Sequence, residues 1–252
     1  GKTGKTKPFS PKDDGADLVE SSFLMQGLIA VREYYKNGTD QEKAVAKRID
    51  QLWQEMEWDW FTQGGKDVLY WHWSPNYGWE MNFKLEGYNE CLITYIMAAC
   101  SPTHGVPAEV YHQGWAKSGA INTNFSMYGH PVKLKHNVVG QNVGPLFWAH
   151  YSYLGLNPKG LKDKYADYWE ENKSHTLINY DYAIANPKGY KGYGANSWGL
   201  TASYSVKGYS AHMPSAGEDK GVISPTAALS SYPYAPKESM QMIRHLYENM
   251  GD

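Results

Sequence analysis

Apolar positions Leu18, Phe23, Leu24, Leu28, Ile29 and Val31 recur at helical spacing between Ala16 and Lys36, and Asn37-Gly38 supplies a stop, so the pattern predicts a first helix there. Thr39 or Asp40 caps a second one reaching about Trp58, with Val45, Ile49, Leu52, Trp53 and Met56 on one side. The pattern then changes. From 58 to 83 the string WDWFTQGGKDVLYWHWSPNYGWEMNF alternates and is broken by Gly64-Gly65, Ser74-Pro75 and Gly78, which predicts short strands or a hairpin within a long loop. Helix returns over Gly87–Ala99, where CLITYIMAA is apolar almost all round and so reads as buried on most sides.

Residues 103–143 are irregular, with a hairpin expected across Phe125–Leu134 turning at Gly129-His130. Further helices are predicted near 145–154, 161–184, 225–230 and 236–249, the last opened by Pro236. A second long loop rich in Gly and Tyr spans Asn186–Pro214. Residues 1–14 lack any apolar period and read as a flexible lead-in, which leaves 15–252 as a single mostly helical domain.

Composition narrows the function classes. Lys+Arg number 24 against 26 Asp+Glu, so no net field draws nucleic acid or an anionic membrane. No apolar run reaches the roughly 18 residues of a spanning helix, and no signal peptide is evident. Tyr (21) and Trp (10) far outnumber Phe (6), favouring rings with a polar handle, as a wet binding surface needs. Cys91 and Cys100 fall about 13 Å apart along one helix and should not pair. The opening GKTGKT lacks the spacing and leading strand of a phosphate loop, and the nine histidines form no close ligand set, so neither nucleotide nor metal is expected. The glycosylation triplets at Asn37, Asn124 and Asn172 are of a kind frequent by chance.

Two carboxylate features stand out. Asp13, Asp17 and Glu20 are spaced four and three apart, which on a helix places all three on one face, either as dipole-stabilised N-terminal charges or as the acidic wall of a cleft. Glu90 is the last ionisable residue before CLITYIMAA, at the mouth of the buried helix, where partial burial disfavours its charge, the state a general acid needs; capping or pairing is the plainer alternative. The rings of Trp60, Trp73, Tyr77, Trp79, Trp115, Tyr193 and Trp198, with Trp71, Tyr88, Tyr190 and Tyr209, fall in loops beside His72, Glu80, Asn82, His112 and Asn196. Flat rings plus short amides and carboxylates match the C–H face and hydroxyl rim of a sugar, although about half of such rings would simply pack the loops.

At these residues a family resemblance enters. GADLVESSFLMQGL (15–28), LYWHWSPNYGWEMN (69–82), GYNECLITYIMAACSPTH (87–104), the run 144–180, the loop 186–212 and GVISPTAALSSYPYAP (221–236) closely resemble the glycoamylase-like domain of glycoside hydrolase family 144. The resemblance implies an all-α fold, an α/α toroid of paired helices with long aromatic loops and short β-hairpins. In this chain that toroid is expected to be N-terminally incomplete. It also implies a periplasmic or secreted endo-β-1,2-glucanase that needs no cofactor and hydrolyses linear β-1,2-glucan with inversion to sophoro-oligosaccharides. Glu90 then resembles the general acid and Asp13, Asp17 and Glu20 the carboxylates of the substrate cleft, with Asp17 or Glu20 as base. The substrate-binding set is Asp13, Trp60, His72, Trp73, Tyr77, Trp79, Glu80, Asn82, His112, Trp115, Tyr193 and Trp198. Exo-acting or transglycosylating relatives, and a glycan-binding protein without turnover, are the rival readings.

Overall fold

Asp17 ends one element and begins the next. In the computed structural model, which describes residues 7–137 and 141–250, it closes the two-residue strand β1 (Ala16–Asp17) and its side chain caps helix α1 (Leu18–Tyr35) by accepting the Glu20 amide at 2.9 Å. Helix α2 (Asp40–Glu55) opens with a full capping box, Thr39 and Glu42 each satisfying the other's backbone amide. Both helices match the predicted ranges, except that α2 stops three residues early. The first six residues, including GKTGKT and the start of the expected lead-in, lie outside the described residues.

The chain divides into two compact units. The first takes the chain up to Glu86 together with Cys91–Gly119 and Leu154–Leu156. In it, Arg32 on α1 pairs with Asp50 on α2 at 2.9 Å, and Ser22 on α1 shares a 2.8 Å hydrogen bond with Thr94 on α3 (Leu92–Cys100). Helix α3 is buried along most of its length, as its apolar run predicts, and Tyr95 ties it to the loops by donating to the Leu85 carbonyl and accepting the Leu69 amide. Gly114 lies against that hydroxyl; a Cβ there would stand 2.7 Å from it. No disulfide joins Cys91 to Cys100, as their spacing requires.

The second unit holds Gly87–Glu90, Ala120–Tyr153 and the chain from Asn157 onward. Strands β3 (Asn122–Met127) and β4 (His130–Leu134) form the predicted hairpin. It lies on helix α4 (Tyr168–Ala185), whose Glu171 accepts the amides of Lys133 and Leu134. A second hairpin, β5 (Ala202–Ser205) with β6 (Gly208–Ala211), occupies the Gly/Tyr-rich loop. Helices α5 (Pro225–Ser230) and α6 (Pro236–Met250) follow as predicted, pinned together by Ser239 Oγ donating to the Ala228 carbonyl.

Several expectations are corrected. Residues 87–91 are not helical, because Leu85, Tyr88 and Asn137 spend their backbone amides on strand-like pairing with Leu69, Lys135 and Tyr88; α3 therefore begins at Leu92. The segment 145–154 forms two 3₁₀ turns, Leu146–Ala149 and Tyr151–Leu154, in place of an α-helix. The helix expected from 161 begins at Tyr168, where the Asp167 side chain supplies the cap. Among the described residues the fold is thus helix-rich with three small antiparallel sheets. No helix among the described residues is long and apolar enough to cross a membrane.

Candidate active site

Strand β2 (His72–Trp73) is where the first unit gathers its chemistry. It pairs with β1 so that Asp17 stands opposite His72 and Ala16 opposite Trp73. Gly15 is required for this approach, since a Cβ would lie 2.3 Å from the Trp73 carbonyl. On β2's other flank, the Trp71 amide donates to the Phe83 carbonyl at 2.9 Å. The three carboxylates predicted to share a helical face are therefore arranged differently. Only Glu20 is on α1; Asp17 caps it, and Asp13 precedes it in a turn bridged to Ser10. Asp13 and Asp17 nevertheless converge, because both face His72: its Nε2 lies 3.7 Å from Asp13 Oδ2 and 4.0 Å from Asp17 Oδ2.

Asp17 is held on one side only. Its Oδ1 accepts both the Glu20 amide and the Trp71 indole N–H, each at 2.9 Å, while Oδ2 faces the imidazole. Burial pushes its carboxyl above the ordinary range, against the pull of those two donors. Glu20 is raised as well, by burial and then by the negative charge of Asp17, but its side chain is exposed. Asp14, absent from the predicted set, is buried and organises the adjoining loop. It accepts Ser74 Oγ on one oxygen and Asn76 Nδ2 on the other, which holds its pKa below the ordinary value. Ser74 Oγ in turn accepts the amides of Asn76 and Tyr77.

Aromatic rings surround this segment. Trp71 stacks on His72 with 7° between planes, and Trp60 meets Trp73 and Trp79 at 6.3 and 6.1 Å. Trp60 and Tyr77 are exposed, 51% and 43%, and so can present a ring to a ligand. Glu80 pairs with Lys12 at 2.7 Å, and Asn82 takes a left-handed backbone (φ 44°) in the turn leading to Phe83. His112 lies further along the first unit, in the π-helical turn Val110–Trp115, with its ring against Tyr111.

Glu90 belongs to the second unit, where it is 7% exposed. Its carbonyl accepts Ser152 Oγ. The preceding residues are laced to the strand after β4: Tyr88 exchanges backbone hydrogen bonds with Lys135 and Asn137, and Asn89 donates to the Asn137 side chain at 2.9 Å. Tyr193, also predicted, donates to the buried Asp219 at 2.7 Å. Trp115 and Trp198 are corrections. Each is fully buried, Trp115 against Tyr95 and Trp198 in a cluster with Leu146, Ala183, Ala228 and Met242, so neither offers a face to a sugar. Tyr88 is buried too, its hydroxyl donating to Asn172.

Behind Tyr88 lies a polar cluster that no sequence motif marks. Glu171 is raised to about 7 by burial, His136 is lowered to about 3 by the same cause, and His175 Nε2–H donates to the Gly144 carbonyl at 2.7 Å. In sequence, Glu171 sits in EENK and looks like a solvated helix charge.

Known proteins now bear on this geometry. A family model described as "Putative glucoamylase" matches residues 82–252. An exo β-1,2-glucooligosaccharide sophorohydrolase (non-reducing end) of Parabacteroides distasonis is 45% identical, with all of this chain covering 37% of it. The structure of an endo-β-1,2-glucanase from Chitinophaga pinensis, in complex with sophorotriose and glucose, superposes with TM-score 0.95 at 65% identity; 98% of this chain matches 59% of that one. A β-1,2-glucanase structure from Parabacteroides distasonis gives TM-score 0.91 at 43% identity, over 99% of this chain and 38% of that one. The chain spans less than two thirds of the length of each relative. Because the family model takes in most of the residues and the likeness to these structures runs through nearly the whole chain, the sequence belongs to the glycoamylase-like family, that of glycoside hydrolase family 144.

Proposed function

We propose that this chain carries an inverting glycoside hydrolase activity on linear β-1,2-glucan, endo-acting, releasing sophoro-oligosaccharides outside the cytoplasm, in the periplasm or secreted. One observation supports it most: Asp17 is pinned through one oxygen by two N–H donors and turns the other toward His72 and Asp13, on a segment edged by Trp60, Trp73 and Tyr77. A carboxylate so oriented suits the base that takes a proton from water. Asp17 is preferred over Glu20 for that role because two N–H donors fix its Oδ1 and favour its charged form, whereas the Glu20 side chain is exposed. Glu90, nearly buried and on a backbone fixed at both sides, is assigned the general acid. Asp13, Trp60, His72, Trp73, Tyr77, Trp79, Glu80 and Asn82 are assigned to sugar binding, His112 and Tyr193 to supporting positions. The antiparallel pair α1–α2 is taken as one helix pair of the family's α/α toroid.

The names of the relatives support the glucan class, and they also keep an exo mode in view, since the 45%-identical relative is named a sophorohydrolase. Time-resolved chromatography of products from linear β-1,2-glucan tests both. Mixed lengths early in the reaction are expected for the endo mode, and one disaccharide from the first time point would replace it with the exo mode. Saturable binding without release of any sugar would overturn the hydrolase in favour of a glycan-binding protein.

A further inference from the structure

The imidazole of His72 is fixed before any ligand arrives. Backbone pairing places it opposite Asp17, Trp71 lies flat on one face, and Phe83 meets it edge-on at 6.3 Å. Its Nδ1 is buried and has no hydrogen-bond partner among the described residues. The other nitrogen points at two carboxylate oxygens, and both gaps, 3.7 and 4.0 Å, exceed a hydrogen bond. A polar gap of this width is what one intervening oxygen spans, at about 2.8 Å to each neighbour. The carboxylate acceptors lie on the Nε2 side, so the ring is placed to donate from Nε2.

We propose that His72 is a positioning residue, whose Nε2–H donates to a single hydroxyl oxygen that hydrogen-bonds onward to Asp13 Oδ2 and Asp17 Oδ2. This rests on the reading of Asp17 as base. A water molecule has one acceptor site for the imidazole and two protons, one for each carboxylate, so it satisfies all three groups at once. A glucose hydroxyl has one proton, for one carboxylate, and the other carboxyl then brings a proton of its own. The shared chemistry is a hydroxyl oxygen. Its source decides whether His72 orients the attacking water or a sugar unit.

A crystal structure of the chain, free and soaked with sophorose, tests the placement without needing turnover. An ordered oxygen within hydrogen-bond distance of all three atoms is expected, a water in the free crystal; in the soaked crystal it is either the same water or a sugar hydroxyl, which names the source. Direct contact of Nε2 with either carboxylate, with no oxygen between, overturns the proposal. Kinetics on β-1,2-glucan give the second arm. His72→Leu is expected to lose on the order of 10-fold or more in rate, through kcat if water is held and through KM if a sugar is, with His72→Gln restoring part because its amide keeps a donor. Equal rates for His72→Leu and the parent overturn it. If the parent protein releases no sugar, the hydrolase reading falls while the crystallographic arm still decides the role of His72.

Discussion

The indole N–H of Trp71 donates to Oδ1 of Asp17 across 2.9 Å, so the ring that stacks on His72 also steadies the carboxylate that faces it. Trp71→Phe keeps an aromatic ring and removes the donor. A hydrogen bond to the charged form favours ionisation, so its loss sends the Asp17 carboxyl, already raised by burial, higher still. A base works only when ionised. The acidic limb of the kcat/KM profile on β-1,2-glucan is therefore expected to move to higher pH in Trp71→Phe, and a limb that stays in place would remove Asp17 from the base role.

Glu90→Gln keeps the shape of the side chain and cannot give up a proton. Reducing-sugar release is expected to fall by roughly 10²–10⁴-fold, the usual contribution of a positioned acid, while titration calorimetry with sophoro-oligosaccharide still shows binding. The hydrogen bond from Ser152 Oγ is to the backbone carbonyl of this residue, so the substitution leaves that tie in place. Parent-like turnover in the variant would take Glu90 out of the reaction.

Periodic elements were legible from apolar spacing and caps: α1, α2, α5 and α6 and the β3–β4 hairpin lie where the sequence places them. The carboxylate cluster was legible for the wrong reason. Asp13 and Asp17 meet at His72 through the pairing of β1 with β2, strands two residues long whose partners Asp17 and His72 are far apart in sequence, and so short a strand leaves no period to read. Asp14 was missed because its partners, Ser74 and Asn76, lie across that same long-range contact. Loop position also misled for Trp115 and Trp198, since a chain without regular structure can still be packed under its neighbours, and a large ring supplies the area to do so.

Glu171 gives a stability signature. Its carboxyl sits near 7 in the fold and 4.5 as an ordinary glutamate, so the folded state binds the proton more tightly. The sign follows: the stabilisation is complete below about pH 4.5 and is lost as pH rises through about 7. Its size by linkage is on the order of a few kcal/mol. Thermal melts from pH 4 to 8 are expected to show the Tm of the parent falling relative to that of Glu171→Gln across that window, the opposing contribution of the buried His136 being common to both. Parallel curves for the two proteins would assign the slope to another group.

Two glycines separate backbone necessity from mere tolerance. A methyl at Gly15 would press on the Trp73 carbonyl and the Pro75 ring at 2.3 and 2.7 Å, and neither can swing aside as a flexible side chain would. The β1–β2 pairing must open, and with it the register that sets Asp17 against His72. Overpacking of this kind costs roughly 1–3 kcal/mol. Gly27 is the opposite case, exposed within α1 with nothing within 4 Å of the place a Cβ would take. Alanine there restricts the unfolded chain and should stabilise by roughly 0.5–1 kcal/mol. Gly15→Ala is thus expected to lower both Tm and glucan hydrolysis, and Gly27→Ala to raise Tm with turnover unchanged. Full activity in Gly15→Ala would mean that the Asp17–His72 register is dispensable to the reaction.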